Sequence, residues 1–181
     1  MRTRAPSRDR KGEGRSSEIE FVLPSRRILI RIQVTQGMSM RSFSAFCAYL
    51  GCPLTNVRWS WCAISPDGKR AVFTIWDDEL KNRRYVLYPP TRRRPGEIAE
   101  SVDNKLGADE IFRVAKFVVT HPEVEALGIL SIAKDRTAAA RERKTYDDDS
   151  VFRLRVEEIE GEIIATTIAR PTVASVLAGS K

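Results

Sequence analysis

Histidine and cysteine are scarce in this chain. Its 181 residues include one histidine, His121, and three cysteines, Cys47, Cys52 and Cys62. A structural zinc site needs four nitrogen or sulfur ligands, and Cys47 and Cys52 are not spaced as a CxxC knuckle. An odd number of cysteines with no secretory signal gives no disulfide framework. The thiols read as reduced and mostly buried, in a cytoplasmic protein. A Ser-His or Cys-His nucleophile would have to use His121, which stands directly before Pro122, so nucleophilic catalysis has almost no basis. A glycine-rich phosphate loop is also missing. No apolar run approaches the roughly 18–20 residues of a spanning helix. These absences imply no cofactor, no metal and no membrane partner.

What is present is a globular composition, 42% apolar and 30% charged, with a net charge of +7. Residues 1–36 hold nine Arg/Lys against four Asp/Glu, whereas residues 37–181 hold 22 against 20. The body is thus nearly balanced, and the high overall charge is by itself weak evidence for a nucleic-acid partner. Residues 1–37 read as a basic N-terminal arm, disordered at least over 1–17, able to hold phosphates non-specifically, or as an extension ahead of a start at Met38 or Met40. Residues 38–170 read as one α+β domain and residues 171–181 as a weakly structured tail.

Within the body, Ser39 predicts a cap for a helix over Met40–Leu50, with Met40, Phe43, Phe46, Cys47 and Leu50 on one face. Val57–Ile64 alternates, which predicts a strand with Trp59 and Trp61 on the same face. The turn Ser65-Pro66-Asp67-Gly68 leads to a partner strand, Arg70–Asp77, and Arg84–Tyr88 completes an expected three-stranded meander. Residues 89–96 (PPTRRRPG) break the pattern as an exposed basic loop. A helix around Asp109–Thr120 is followed by an apolar strand, Leu127–Ala133, then the basic segment Lys134–Lys144 as a loop or short helix. Phe152–Glu158 and Glu162–Ala169 flank Glu160-Gly161, a hairpin signal. The order predicts an α+β fold: a bent, mostly antiparallel sheet or partial barrel with two main flanking helices.

Two segments carry a family resemblance. Asn56-Val57-Arg58-Trp59-Ser60-Trp61 and Val72-Phe73-Thr74-Ile75-Trp76-Asp77-Asp78-Glu79 resemble a tryptophan-rich module of bacterial HNH-type, modification-dependent endonucleases and their standalone relatives. The later helix, strand, basic stretch, Tyr146 and hairpin extend the resemblance over about Met40 to Arg170. Such modules are similar in organisation to PUA-like and SRA-like domains, some of which read modified bases. The resemblance implies a reader without its nuclease, since no HNH signature is present, and a separate nuclease as a possible partner. Cys62 departs from the pattern, which has glycine after the second tryptophan.

Gripping an extruded base requires aromatic faces to stack it and a polar group to read its edge. Trp59, Trp61 and Trp76 are the candidate faces, and Asp77 the candidate reader. The alternative is that the rings fill the core. Arg84, Arg92, Arg93 and Arg94, then Lys134, Arg136, Arg141, Arg143 and Lys144, are candidate phosphate contacts. Their alternative is solvated loops paired with acids such as Asp135 and Glu142. The leading expectation is therefore a non-catalytic nucleic-acid-binding module, reading a modified or flipped base in DNA. A protein–protein or regulatory module with its tryptophans in the core is the second. A metal-dependent nuclease using Asp77, Asp78 and Glu79 with Lys81 is the third.

Overall fold

A computed structural model describes residues 41–88, 102–138 and 141–179, with backbone alone for 102–105. The N-terminal arm and the basic loop 89–96 with Arg92, Arg93 and Arg94 lie outside these residues.

The chain runs α1 (Phe43–Tyr49), β1 (Cys62–Ile64), β2 (Arg70–Trp76), β3 (Arg84–Tyr88), α2 (Val102–Thr120), β4 (Glu125–Ala133), β5 (Arg143–Tyr146), β6 (Phe152–Ile159), β7 (Glu162–Ala169) and α3 (Val173–Ala178). The fold is α+β, with a curled, half-barrel sheet in the order β1-β2-β4-β6-β7-β3 and β5 added alongside β4. Five strand pairings are antiparallel and one, β2 with β4, is parallel. A parallel pair needs a long crossover, and α2 lies within it.

The expected meander does not form. β2 is buried from Ala71 to Trp76, on both faces, and β4 is an equally apolar run. Strands buried on both sides occupy the sheet centre, so β4 takes the place beside β2. β3 alternates between exposed and buried at its start and ends on the opposite edge, against β7. The tight turn that releases it has positive φ at Asn82 (50°) and Arg83 (68°).

Three further expectations are corrected. Arg41 and Ser42 stand outside α1, whose cap is Ser42; its Oγ accepts from the Ala45 amide at 3.2 Å. The first strand begins only at Cys62, so Trp59 and Trp61 precede it. There the Asn56 side chain accepts from the Arg58 amide at 2.9 Å, and the Ser60 hydroxyl from the Asn56 amide at 3.0 Å. These local bonds satisfy the backbone in a loop and compete with strand pairing. Finally, residues after Pro171 form α3. Thr172 caps it, accepting from the Ser175 amide at 3.3 Å, and Val173 and Val176 are buried. The β6–β7 hairpin forms at Glu160-Gly161, with φ of 52° and 83°, the left-handed pair that a two-residue hairpin needs.

The sheet separates two apolar clusters. On one face α2 packs Val114, Ala115 and Val118 against Phe73, Ile75 and Leu154. On the other, α1 and α3 bring Phe46, Cys47, Leu50 and Val176 onto Val72, Leu127 and Ile129. Burying each such side chain contributes on the order of 1.5–3 kcal/mol. Among the described residues, no helix is long and apolar enough to cross a membrane.

Candidate functional site

Strand alternation places Val72 and Thr74 on the α1 face of β2, and Leu127, Ile129 and Ser131 on the same face of β4; Trp76, at the end of β2, packs with the α2-side cluster. Val72, Leu127 and Ile129 belong to the apolar cluster there. The next pair is polar: Thr74 is 6% exposed and Ser131 is fully buried. Arg143 of β5 reaches both. Its Nε donates to Ser131 Oγ at 3.1 Å and its Nη2 to Thr74 Oγ1 at 3.0 Å.

A bulge in β5 makes this possible. Thr145 pairs with Ile132 but Arg143 pairs with Ala133, which leaves Lys144 as the extra residue. Residues three apart on a regular strand face opposite ways. Here Arg143 and Tyr146 both lie against Phe43, the guanidinium at 3.3 Å from the ring centroid and the Tyr146 ring at 5.4 Å. The Arg143 guanidinium also lies 5.8 Å from the Trp76 ring.

Of these groups, Phe43, Trp76 and Arg143 line a cavity of about 430 Å³. Phe43, Trp61 and Trp76 supply its aromatic wall, and Ser42, Ser60 and Arg143 are among its polar groups. A volume of roughly 300–1,000 Å³ is usual for small-ligand sites. Among the described residues, Arg143 has no carboxylate partner. Burial pushes its guanidinium down to about 10, with Cys47 and Tyr146 acting in the opposite sense.

Several neighbouring charges are paired. Arg141 makes a two-point contact with Asp78, at 2.7 and 3.0 Å, and an ion pair with Glu79 at 3.2 Å. The hydrogen bond from Arg141 holds the Asp78 carboxyl below its ordinary range. Arg136 pairs with Asp77, and Lys134 with Glu142 at 2.6 Å. Lys134, Arg136 and Arg141, expected as phosphate contacts, each pair with a carboxylate, the Lys134 and Arg136 pairs at the surface. The other expected partner acid, Asp135, accepts from Thr137 instead. With Asp77, Asp78 and Glu79 each facing an arginine, the acids proposed for a nuclease are engaged. Among the described residues, no group of three His, Cys, Asp or Glu side chains is placed to hold a metal ion.

The structure brings Trp61, Trp76 and Arg143 together, and leaves other candidates apart. Trp76 is largely buried, 5% exposed, and meets the cavity along one edge of the core. Trp59 does not line the cavity: the backbone there packs on α2, with the Trp59 carbonyl 2.8 Å from where a Gly107 Cβ would stand. Asp77 lies outside the cavity lining, with Oδ2 on Arg136 and Oδ1 buried without a hydrogen-bond partner among the described residues. Arg84 and Lys144 are exposed side chains on β3 and β5, also outside the lining.

Two contributors carried no signal as site residues. Phe43 read as one more core aromatic of α1. Glu110 sits in α2, is 3% exposed, and accepts from the Ser60 hydroxyl at 3.2 Å, backing the cavity wall from behind. Burial raises its pKa, only partly offset by the Ser60 and Thr55 hydroxyls and by Arg113. Its Oε2 has no hydrogen-bond partner among the described residues.

Compared with known proteins, the chain matches no family model, no curated sequence and no solved structure.

Proposed function

We propose that this domain is a non-catalytic nucleic-acid-binding module of PUA-like character, working in the cytoplasm, whose cavity receives an extruded base of DNA. One observation carries the reading: Trp61 and Trp76 line the same cavity as an arginine that no carboxylate among the described residues neutralises. Aromatic faces stack a base of any sequence, and a positive group favours a polyanion. Base-modification reading, and a separate nuclease as partner, follow from the family resemblance. Phosphate contacts fall to the exposed Arg84 and Lys144, the arginines at 92–94 and the basic arm.

The test is a fluorescence titration of the full chain with duplexes containing or lacking modified cytosines, at two salt concentrations. The account expects tighter binding to modified duplex, weakened by Trp61→Ala by about 1–3 kcal/mol. Salt-dependent binding without base preference reduces the module to a general nucleic-acid binder. Absence of binding favours the second reading, a protein-interaction module, which the near-complete burial of Trp76 supports.

A further inference from the structure

We infer that Arg143 is an oxyanion receptor, and that the occupant of the cavity carries a phosphate or carboxylate attached to, or flanking, its aromatic ring. The inference rests on the reading of the cavity as a nucleotide pocket and names the chemistry of its occupant.

Arg143 is partly buried, and it borders the cavity rather than being sealed in the core. Arg143 has neither a carboxylate nor a full set of acceptors. A guanidinium has five N–H donors. Two of them are used, Nε on Ser131 and one Nη2 proton on Thr74. Three donors, on Nη1 and Nη2, have no partner among the described residues. Both hydroxyls lie along the Nε side, so the terminal fork of Nη1 and Nη2 is left for a ligand.

That fork is held rigidly. Two adjacent strands fix one edge of the guanidinium, and the Phe43 ring covers a face at 3.3 Å. A planar fork fixed in this way matches the two oxygens of a carboxylate or phosphate. A neutral acceptor edge, such as that of guanine, would fill the hydrogen bonds but leave the charge uncompensated. Charge balance therefore favours an anion. Arg58, Arg141 and Glu142 also line the cavity; Arg141 is matched by Asp78 and Glu79, and Glu142 is paired with Lys134.

The anion has two possible sources within one chemistry: the phosphate of a nucleotide, or a carboxylate on the base. Calorimetric titration of the full chain distinguishes them, using cytidine, cytidine 5′-monophosphate, 5-carboxycytidine and inorganic phosphate as probes. At least tenfold tighter binding of the monophosphate than of cytidine assigns the phosphate. The same gain for 5-carboxycytidine assigns the base carboxylate. Arg143→Gln removes the gain, and Arg143→Lys, which keeps charge without the fork, restores only part of it. Thermal shift of the unmodified chain by each probe gives the same ranking without relying on a variant. Equal binding of all three nucleoside probes, or a gain that survives Arg143→Gln, overturns the inference. Cytidine binding that depends on Trp61 alone would leave the base cavity standing and sink the anion receptor. Arg143-dependent monophosphate binding without any DNA binding would do the reverse.

Discussion

The Arg143 guanidinium carbon lies 3.3 Å from the centroid of the Phe43 ring, joining the bulged strand β5 to the first turn of α1. A partly buried cation with no carboxylate partner among the described residues relies on such a face. Phe43→Leu keeps an apolar side chain of somewhat smaller volume and removes the ring. It is expected to lower stability by about 1–2 kcal/mol, read as a shift in the urea midpoint. An unchanged midpoint would show that the ring contributes packing alone.

Glu110 predicts a pH effect. Its pKa is raised by burial in the folded state, so folding favours the protonated form. The penalty is absent below the unfolded carboxylate value of roughly 4.3 and grows as pH rises through the folded value. Glu110→Gln keeps an acceptor for Ser60 and removes the charge. Its Tm is expected to exceed that of the parent at pH 7–8 and to converge with it near pH 4. Equal Tm values at every pH would show that the carboxylate is not penalised.

Gly107 sets how closely α2 approaches the tryptophan loop. Alanine is normally the better helix residue by about 1 kcal/mol. Here its Cβ would stand 2.8 Å from the Trp59 carbonyl, a backbone atom that cannot swing aside. Gly107→Ala is therefore expected to destabilise, by about 1–3 kcal/mol, and to shift tryptophan emission as the loop moves. A stabilised variant would show that the loop yields freely.

The three cysteines are free and buried. Burial pushes the Cys47 and Cys52 thiols up to about 12, and Cys62 well above its ordinary value. Only the thiolate reacts readily. A thiol-reactive disulfide reagent at pH 8 is expected to modify none of the three in the native chain and all three in denaturant. A fast-reacting thiol under native conditions would show that the core under α1 opens.

Much of the architecture was legible because long periodic segments announce themselves. The apolar face of α2, the run in β4 and the Glu160-Gly161 hairpin were each readable from sequence. The placement of β3 was not, because strand order is decided by which strands are buried on both faces rather than by proximity in sequence. The Val57–Trp61 loop was hidden by its alternation; hydrogen bonds from Asn56 and Ser60 win over the strand pattern. At the site, Trp61 and Trp76 were legible as aromatic candidates, and Arg143 as one cation among many. Nothing local distinguished Arg143 from Arg141, since the difference lies in Asp78, 63 residues away from Arg141. The clue that was present is finer: Thr74 and Ser131 are single polar residues inside two otherwise apolar strands, and they meet the same guanidinium.

The most direct measurement compares Trp61→Ala with Trp59→Ala in parallel DNA titrations of the full chain, each variant first shown to keep its thermal transition. Trp61 lines the cavity and Trp59 does not. The account predicts that Trp61→Ala weakens DNA binding by about fivefold or more, while Trp59→Ala leaves it within about twofold. Equal losses, or a loss confined to Trp59→Ala, would contradict the claim that this cavity is where the nucleic acid binds.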